Sequence, residues 1–339
     1  MKILLTFDDK YAPHAAAVME SVIQNTKAKI DFAVMHFEEN LTQPIQDKLK
    51  QHFVEKVNSL TFYPVDNQVK NLFSRIQFTE YLSLNTFLRL LSPEILKNDD
   101  VILYLDSDLI VLGDVTELMQ RADLNYAINA VAEHYPSSRI HELEVKKIKT
   151  KREKESLAVE KKQMEKKKTL DMFSESSYFN AGVVILNLKL WREQKLIDQA
   201  LQYISSHPVL PCGDQDVLNG IFNGNFGMLP LCWNVHPYIK LLNEYTSKYS
   251  QDELHKAKTT PKIIHFAGVK PWSYMFSNKK EKNIYWMYRG STPWSEKIEE
   301  GKSLKNRWLK YIYHPMITWA GFFLGDNIKR WMKRIRKKQ

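Results

Sequence analysis

Two aspartates, Asp106 and Asp108, directly follow a short apolar stretch, Val101–Leu105. The continuous apolar run predicts a fully buried strand of the parallel type, and open α/β sheets bind ligands at the carboxyl ends of such strands. Side chains at i and i+2 of an extended chain share one face, so both carboxylates can converge on one cation while Ser107 points away. Carboxylate oxygens suit Mg²⁺ or Mn²⁺. A solvated acidic turn is the alternative.

A histidine at the end of another apolar strand could complete this site. The segment Lys262–Lys270 reads KIIHFAGVK, and its strand ends at His265. Gly268 then allows a turn, and Lys270 offers a point charge for a phosphate group. Two carboxylates and one imidazole are a donor set suited to Mn²⁺. A core histidine without a ligand is the alternative interpretation.

A third segment combines small residues with an asparagine. Tyr178–Leu188 reads YFNAGVVILNL, in which Asn180 precedes Ala181, Gly182 and an apolar strand. Small residues at such a point indicate that the backbone closely approaches a ligand.

A fourth segment, CGDQDVLN over Cys212–Asn219, brings Asp214, Gln215 and Asp216 to the start of a helix. Aspartate is a good N-cap, so we expect one of the two carboxylates to have a structural role. An N-cap alone does not account for the other two polar side chains.

The elements that position these groups alternate along the first part of the chain. We predict strands over 2–7, 32–37 and 60–64, with helices over 13–25 and 41–54. This β-α-β-α-β order predicts a parallel sheet with helices on both faces. The loop that follows the first strand, with Asp8 and Asp9, would then lie near the ligand edge.

Further elements are expected along the rest of the chain. They are helices over 79–91 and 191–205 and strands over 127–132, 226–229 and 233–235. Arg89 lies on the first of these helices. Its guanidinium is either a bidentate clamp for phosphate or carboxylate or one half of a surface ion pair.

Length and cysteine content bound the class of protein. At 339 residues, we expect one catalytic domain, 1–275, and an appended C-terminal segment, 276–339. Cys212 and Cys232 are too few for a disulfide framework, which fits a reducing cytosol. The N-terminal apolar run is too short for a signal peptide. The sequence contains no run of about 18 apolar residues, so we expect no membrane-spanning helix.

The net charge of +10 favours an anionic partner and is concentrated in two segments. Residues 139–168 carry twelve Lys/Arg against six Glu, and residues 326–339 carry seven against one Asp. The first, in an insertion at about 139–170, predicts a solvated charged helix or a mobile lid. The aromatic and basic residues after Ser303 fit an interfacial helix on an anionic membrane or a packed helix with a solvated tail. Neither segment has a nucleic-acid-binding motif.

Five motifs, taken in order, resemble the family 8 glycosyltransferases and their GT-A nucleotide-sugar-binding fold. The motifs are Asp8-Asp9-x-Tyr11 after the first strand, YLDSD, YFNAGVVILNL, GDQDVLNG and IIHFAGVKPW. The resemblance covers roughly Met1 to Trp272, interrupted by the charged insertion. The pattern is similar to bacterial enzymes that add galactose or glucose to lipopolysaccharide core or lipo-oligosaccharide. It implies an α/β fold with a Rossmann-like mixed sheet flanked by helices, followed by a helical basic C-terminal segment.

The resemblance also implies roles for the site residues. The ligands of Mn²⁺, with Mg²⁺ as an alternative, would be Asp106, Asp108 and His265. The residues that bind a UDP-hexose donor would be Thr6, Asp8, Tyr11, Arg89, Ser107, Asn180, Gly268 and Lys270. The catalytic residues would be Gln215, Asp214 and Lys270.

The implied reaction moves the hexose from UDP to a glycan or glycolipid with retention of configuration. Negative charge develops on the leaving diphosphate, and Mn²⁺ and Lys270 would stabilise it. A double displacement needs a nucleophile on the opposite sugar face, where Gln215 is expected and is a poor one. We therefore favour a front-face reaction in which the departing phosphate oxygen helps to deprotonate the acceptor.

Two other classes of function compete with this interpretation. A metal-dependent nucleotidyltransferase or nucleotide-sugar hydrolase would show a Gly-rich or basic triphosphate loop after the first strand, whereas this loop is acidic and lacks glycine. A non-catalytic membrane-associated scaffold would not need the three metal ligands. We expect a cytoplasmic protein, peripheral on the inner face of the cytoplasmic membrane. Neither the acceptor nor the choice between UDP-galactose and UDP-glucose follows from the sequence.

Overall fold

The structure, a computed structural model, describes residues 1–73, 76–77, 83–134, 165–173, 177–241 and 249–308. The chain divides into two compact units. The first comprises Met1–Ala267 with Tyr288–Ser295, and the second comprises Gly268–Met287 with Glu296–Gln339. The expected division into a catalytic domain and a C-terminal membrane segment stays a prediction.

The strands and helices follow one another from the N-terminus. The strands are β1 Lys2–Thr6, β2 Asp31–Phe37, β3 Ser59–Val65, β4 Val101–Leu105, β5 Leu109–Val111, β6 Ile128–His134, β7 Tyr178–Asn187, β8 Gly227–Met228 and β9 Ile263–His265. The α-helices are α1 Ala12–Asn25, α2 Gln43–Phe53, α3 Lys70–Phe73, α4 Ser92–Ile95, α5 Val115–Met119, α6 Leu188–Glu193, α7 Leu196–Ser206, α8 Asp214–Phe222, α9 Pro237–Leu241, α10 Gln251–Thr259, α11 Lys279–Gly290 and α12 Leu304–Trp308. Within the described ranges, the 3₁₀ helices are Asn67–Val69, Leu84–Leu91 and Leu231–Trp233.

A seven-stranded mixed sheet in the order β3-β2-β1-β4-β7-β6-β8 forms the centre of the first unit. Strands β1, β2 and β3 are parallel, as the alternation of elements predicts. Strand β4 is parallel to β1 but antiparallel to β7. All ten residues of β7 are buried, which agrees with a strand covered on both faces. The predicted mixed α/β fold is confirmed.

A small two-stranded sheet joins β5 to β9 in antiparallel register. Leu109, immediately after Asp108, lies opposite His265. Val235 forms a bridge to Ile264, and its N–H donates to the Ile263 carbonyl. This pairing brings a residue from late in the chain to the carboxyl end of β4.

Two predicted helices differ from the structure. The predicted helix over 191–205 is two helices, α6 and α7, because Lys195 between them adopts a left-handed conformation with φ 51°. Helix α6 begins at Leu188, earlier than predicted, since the Asn187 side chain accepts the Leu190 N–H. The described part of the predicted helix over 79–91 is a 3₁₀ helix, Leu84–Leu91, and residues 79–82 lie outside the described residues.

The predicted strand over 233–235 is wrong. Leu231–Trp233 is a 3₁₀ helix, and Val235 makes an isolated bridge. Within the predicted charged insertion, residues 165–169 are helical, and 139–164 lie outside the described residues, as do residues 309–339 of the C-terminal segment. In the described ranges, no helix has both the length and the apolar character needed to cross a bilayer.

Candidate active site

Asp106, Asp108 and His265 come together at the carboxyl end of β4. One ligand atom from each lies within 4.8 Å of the others. The His265 Nε2 atom is 3.2 Å from Asp108 Oδ1 and 3.6 Å from Asp106 Oδ2. The other ring nitrogen, Nδ1, is hydrogen bonded to Asn234 Oδ1 at 3.0 Å. Two carboxylates and an oriented imidazole make a donor set that fits a divalent cation.

The cluster leaves no room for a side chain at Gly182 on the neighbouring strand β7. A Cβ atom there would lie 2.3 Å from His265 Cε1 and 2.7 Å from Asp106 Oδ2. The structure shows a close approach of Gly182 to the side chains of the candidate metal ligands, and the predicted approach of this backbone to a bound ligand stays a prediction. Substitution by any larger residue would have to displace them.

Arg89 links the cluster to helix α8. Its side chain is buried, with Nη2 at 2.9 Å from Asp106 Oδ1 and Nε at 2.7 Å from Asp214 Oδ2. Nη1 donates to the Ala181 carbonyl. Burial lowers the pKa of Arg89, but the neighbouring carboxylates reverse this and hold it above its ordinary value. The interpretation of Arg89 as one half of a surface ion pair is wrong, because its side chain is buried and binds the carboxylates of both Asp106 and Asp214.

Tyr104 fixes the other side of Asp106. Its hydroxyl donates to Asp106 Oδ1 at 2.9 Å and lies 3.0 Å from Thr6 Oγ1. The Arg89 guanidinium lies 3.8 Å from the centre of its ring. Burial raises the pKa of Tyr104 well above its ordinary value, so the hydroxyl stays protonated. The sequence interpretation missed Tyr104, although its phenol in an otherwise apolar strand, two residues before Asp106, was a usable signal.

The start of helix α8 differs from the expected aspartate cap. Gly213, with φ 59°, is the N-cap residue, and neither aspartate caps the helix. Asp214 turns to Arg89 instead, and burial raises its pKa to about 6 although the Arg89 charge opposes this. Asp216 has the expected structural role by other means, because its Oδ2 accepts the Cys212 N–H at 2.7 Å.

Gln215 faces strand β7. Its Oε1 accepts two N–H groups at 3.0 Å, one from the Ala181 backbone and one from the Asn180 side chain. Its Nε2 donates to the Tyr178 hydroxyl at 3.0 Å. The Tyr178 hydroxyl in turn donates to Asp216 Oδ1 at 2.6 Å. Gln215 and Asn180, both expected around the sugar, therefore lie together.

Lys166, from the end of the charged insertion, closes this side of the site. Its Nζ lies 2.5 Å from the Tyr178 hydroxyl, 3.2 Å from Asp216 Oδ1 and 3.2 Å from Cys212 Sγ. Burial lowers the pKa of Lys166, but Asp216, Glu133 and Cys212 together more than offset this and raise it above its ordinary value. Sequence reasoning missed this contact because one lysine among the twelve Lys/Arg of 139–168 carries no distinguishing signal.

The predicted donor-binding residues near the N-terminus have local structural contacts. Asp8 Oδ1 accepts the Tyr11 N–H at 3.0 Å, which shapes the loop before α1. The Ser107 hydroxyl donates to the Thr6 carbonyl at 3.4 Å. Gly268, with φ 99°, and Lys270 belong to the second compact unit. The donor-binding roles of these residues stay predictions.

The raised pKa of Asp214 predicts a pH effect on donor binding. Below about pH 6 the carboxyl becomes protonated, so if Asp214 binds a sugar hydroxyl of the donor, as the resemblance implies, a charge-assisted hydrogen bond would become a weaker neutral one. We expect the affinity of the wild type for a UDP-hexose, relative to that of Asp214→Asn, to fall about fivefold between pH 7.5 and 5. Calorimetric titrations of both proteins with the same donor at each pH would measure this ratio. A ratio that does not change with pH would contradict the assignment.

Comparison with known proteins agrees with this geometry. A profile of Glycosyl transferase family 8 matches residues 2–275. General stress protein A of Bacillus subtilis is 25% identical over 87% of this chain and 95% of its own length. Lipopolysaccharide 1,2-glucosyltransferase of Escherichia coli K12 is 25% identical over 83% of this chain and 74% of its own. A crystal structure of the galactosyltransferase LgtC with donor and acceptor sugar analogues has a TM-score of 0.67 at 21% identity, covering 86% of this chain and 96% of that chain.

The mixed sheet has the GT-A fold of that galactosyltransferase. Enzymes of the GT-A glycosyltransferase class use nucleotide-sugar donors and a divalent metal ion, and Asp106, Asp108 and His265 form a candidate site for such an ion. The family profile spans most of the chain. The protein belongs to glycosyl transferase family 8, as the five sequence motifs predict.

Proposed function

We propose that this protein transfers galactose or glucose from a UDP-sugar to a glycan or glycolipid acceptor such as lipopolysaccharide core, with Mn²⁺ and with retention of configuration. The observation that carries the proposal is the convergence of Asp106, Asp108 and His265 at the edge of the sheet in a family 8 chain. The Escherichia coli relative named as a lipopolysaccharide glucosyltransferase supports the acceptor class. The alternative of a non-catalytic scaffold is less well supported, because it gives no role to the three candidate metal ligands, all of which are present.

The three ligands would hold Mn²⁺, which supplies positive charge to the leaving diphosphate. Arg89 and Tyr104 both bond Asp106 Oδ1, so they orient this carboxylate. Asn234 does the same for His265. Lys270 is proposed to add a cation on the phosphate side.

The contacts of Gln215 favour the front-face route over attack by its side chain. A carbonyl oxygen has two lone pairs, and those of Gln215 Oε1 already accept N–H groups from Ala181 and Asn180. Acting as a nucleophile would cost both hydrogen bonds. We propose that Gln215 positions the sugar or stabilises its developing positive charge, and that Asp214 binds a sugar hydroxyl.

A donor screen tests the proposal. Release of UDP is measured with UDP-galactose, UDP-glucose and UDP-N-acetylglucosamine, each with Mn²⁺ or with EDTA, in the presence of lipid and glycan extracts. We expect strict preference for one UDP-hexose, dependence on Mn²⁺, and an α-linked product by NMR. Release that no acceptor extract accelerates would favour the nucleotide-sugar hydrolase. If UDP is released from none of the three UDP-sugars, the result would favour the non-catalytic scaffold.

We also propose that the C-terminal segment, 276–339, attaches the enzyme to the anionic inner face of the cytoplasmic membrane, on the basis of its basic and aromatic sequence. Sedimentation with anionic vesicles, compared with neutral phosphatidylcholine vesicles, tests this. The full chain is expected to bind only the anionic vesicles and to dissociate at high salt. Equal binding by a chain truncated after Trp308 would overturn the attachment.

A further inference from the structure

We infer that Asn234 is a positioning residue that couples the candidate metal ligand His265 to Gln215 through a relay of side-chain amides. The relay consists of His265, Asn234, Asn180 and Gln215, in that order. The inference rests on the proposed function, because it assigns Asn234 a task at the same site. None of the five sequence motifs includes Asn234.

The direction of the relay is set by two backbone groups of β7. The Ala181 N–H donates to Gln215 Oε1, and the Gly182 N–H donates to Asn180 Oδ1, both at 3.0 Å. A backbone nitrogen can only donate, so each partner atom must be an oxygen. The orientation of both side-chain amides follows from these two bonds rather than from a choice between equivalent amide positions.

The orientation then passes to Asn234. Because Asn180 Oδ1 is an acceptor, the Asn234 atom 2.9 Å away must be its Nδ2. The remaining Asn234 atom, Oδ1, faces His265 Nδ1 at 3.0 Å. An amide oxygen only accepts, so the proton of His265 lies on Nδ1. In the neutral imidazole this tautomer turns the lone pair of Nε2 towards Asp106 and Asp108, as metal ligation requires.

Because the relay is buried, it is sensitive to the loss of any one of its hydrogen bonds. Asn234 is fully buried, His265 is 2% exposed and Asn180 is 7% exposed. Water therefore has little access to replace a lost partner, and a buried amide that loses its hydrogen bond destabilises the folded protein. Replacement of Asn234 should therefore disturb both ends of the relay, because it would misorient the His265 imidazole and displace the Gln215 amide.

Two substitutions separate the two ends. Aspartate keeps an oxygen for His265 Nδ1, but its second oxygen meets Asn180 Oδ1 without a proton between them. Asn234→Asp is therefore expected to keep Mn²⁺ affinity within about threefold and to lower kcat about tenfold or more through the Gln215 end. Asn234→Ala removes both bonds and is expected to weaken Mn²⁺ binding about 10- to 100-fold.

Mn²⁺ binding is measured on the full chain without donor, from the electron paramagnetic resonance signal of free Mn²⁺, and kcat is measured separately. Asn129→Ala is the matched control, because Asn129 is also fully buried and bonds the Asp123 backbone away from the site. It should lower the thermal midpoint and leave Mn²⁺ affinity unchanged. Isosteric Asn234→Asp guards against loss of folding in the alanine variant.

The outcomes distinguish the inference from the proposed function. If the wild-type protein binds no Mn²⁺, the proposed metal centre fails. If the wild type binds Mn²⁺ and Asn234→Ala binds it equally well, the relay is overturned. Equal losses of affinity and kcat in both Asn234 variants would also overturn it, because they would indicate a general packing defect.

Discussion

Replacing Asp108 by alanine is expected to abolish Mn²⁺ binding and to lower kcat/KM by about 10³-fold. The loss follows because one of two carboxylate ligands disappears while the leaving diphosphate still needs charge stabilisation, an effect of about 4 kcal/mol. Asp108 is the better position for this test, since Asp106 also anchors Arg89 and Tyr104. UDP release and Mn²⁺ titration of the same preparation measure the two effects.

Asp100→Ala is the matched control for this substitution. Asp100 precedes β4 at its other end, its side chain is 74% exposed, and it pairs with Arg192. Surface pairs contribute about 0–1 kcal/mol, so activity and Mn²⁺ affinity should stay at the wild-type level. Activity retained by Asp108→Ala in Mn²⁺ would contradict the metal assignment.

Gly182→Ala should separate metal binding from folding. The added methyl group would lie 2.3 Å from His265 Cε1 and 2.7 Å from Asp106 Oδ2, so these side chains must move apart. We expect the protein to fold with a loss of about 1–3 kcal/mol in unfolding free energy. Mn²⁺ affinity should fall at least about tenfold, because ligand geometry is lost. Chemical denaturation and Mn²⁺ titration provide the two measurements.

Gly290→Ala is the matched control, since a Cβ atom there would meet no atom within 4 Å apart from its chain neighbours and the backbone of its own helix. Its Mn²⁺ affinity should equal that of the wild type. If Gly182→Ala bound Mn²⁺ as tightly as Gly290→Ala, the ion would not lie among these side chains.

Local patterns predicted much of the fold and the outline of the site. Strand β4 is a continuous run, apolar apart from Tyr104, that is followed by Asp106 and Asp108, and both features can be recognised without knowledge of distant contacts. The parallel pairing of β1 to β3 follows from the order of elements for the same reason. The two helices where one was predicted depend on the backbone of Lys195, a conformation that its residue type does not favour.

Residues that act through distant partners could not be identified in this way. Asn234 is an ordinary polar residue in the sequence and gains its meaning from Asn180 and His265. The segment 233–235 was predicted as a strand, whereas Leu231–Trp233 is a 3₁₀ helix and Asn234 follows it directly. Arg89 likewise became interpretable only when the structure brought it to Asp214.

The pairing of β5 with β9 has a consequence for how the enzyme is made. Leu109 and His265 are far apart along the chain, so their contact closes a very large loop, and such contacts form slowly. Competence to bind manganese should therefore emerge late during refolding, after the secondary structure has formed. The time at which the chain first binds the ion would then mark the final step of its folding.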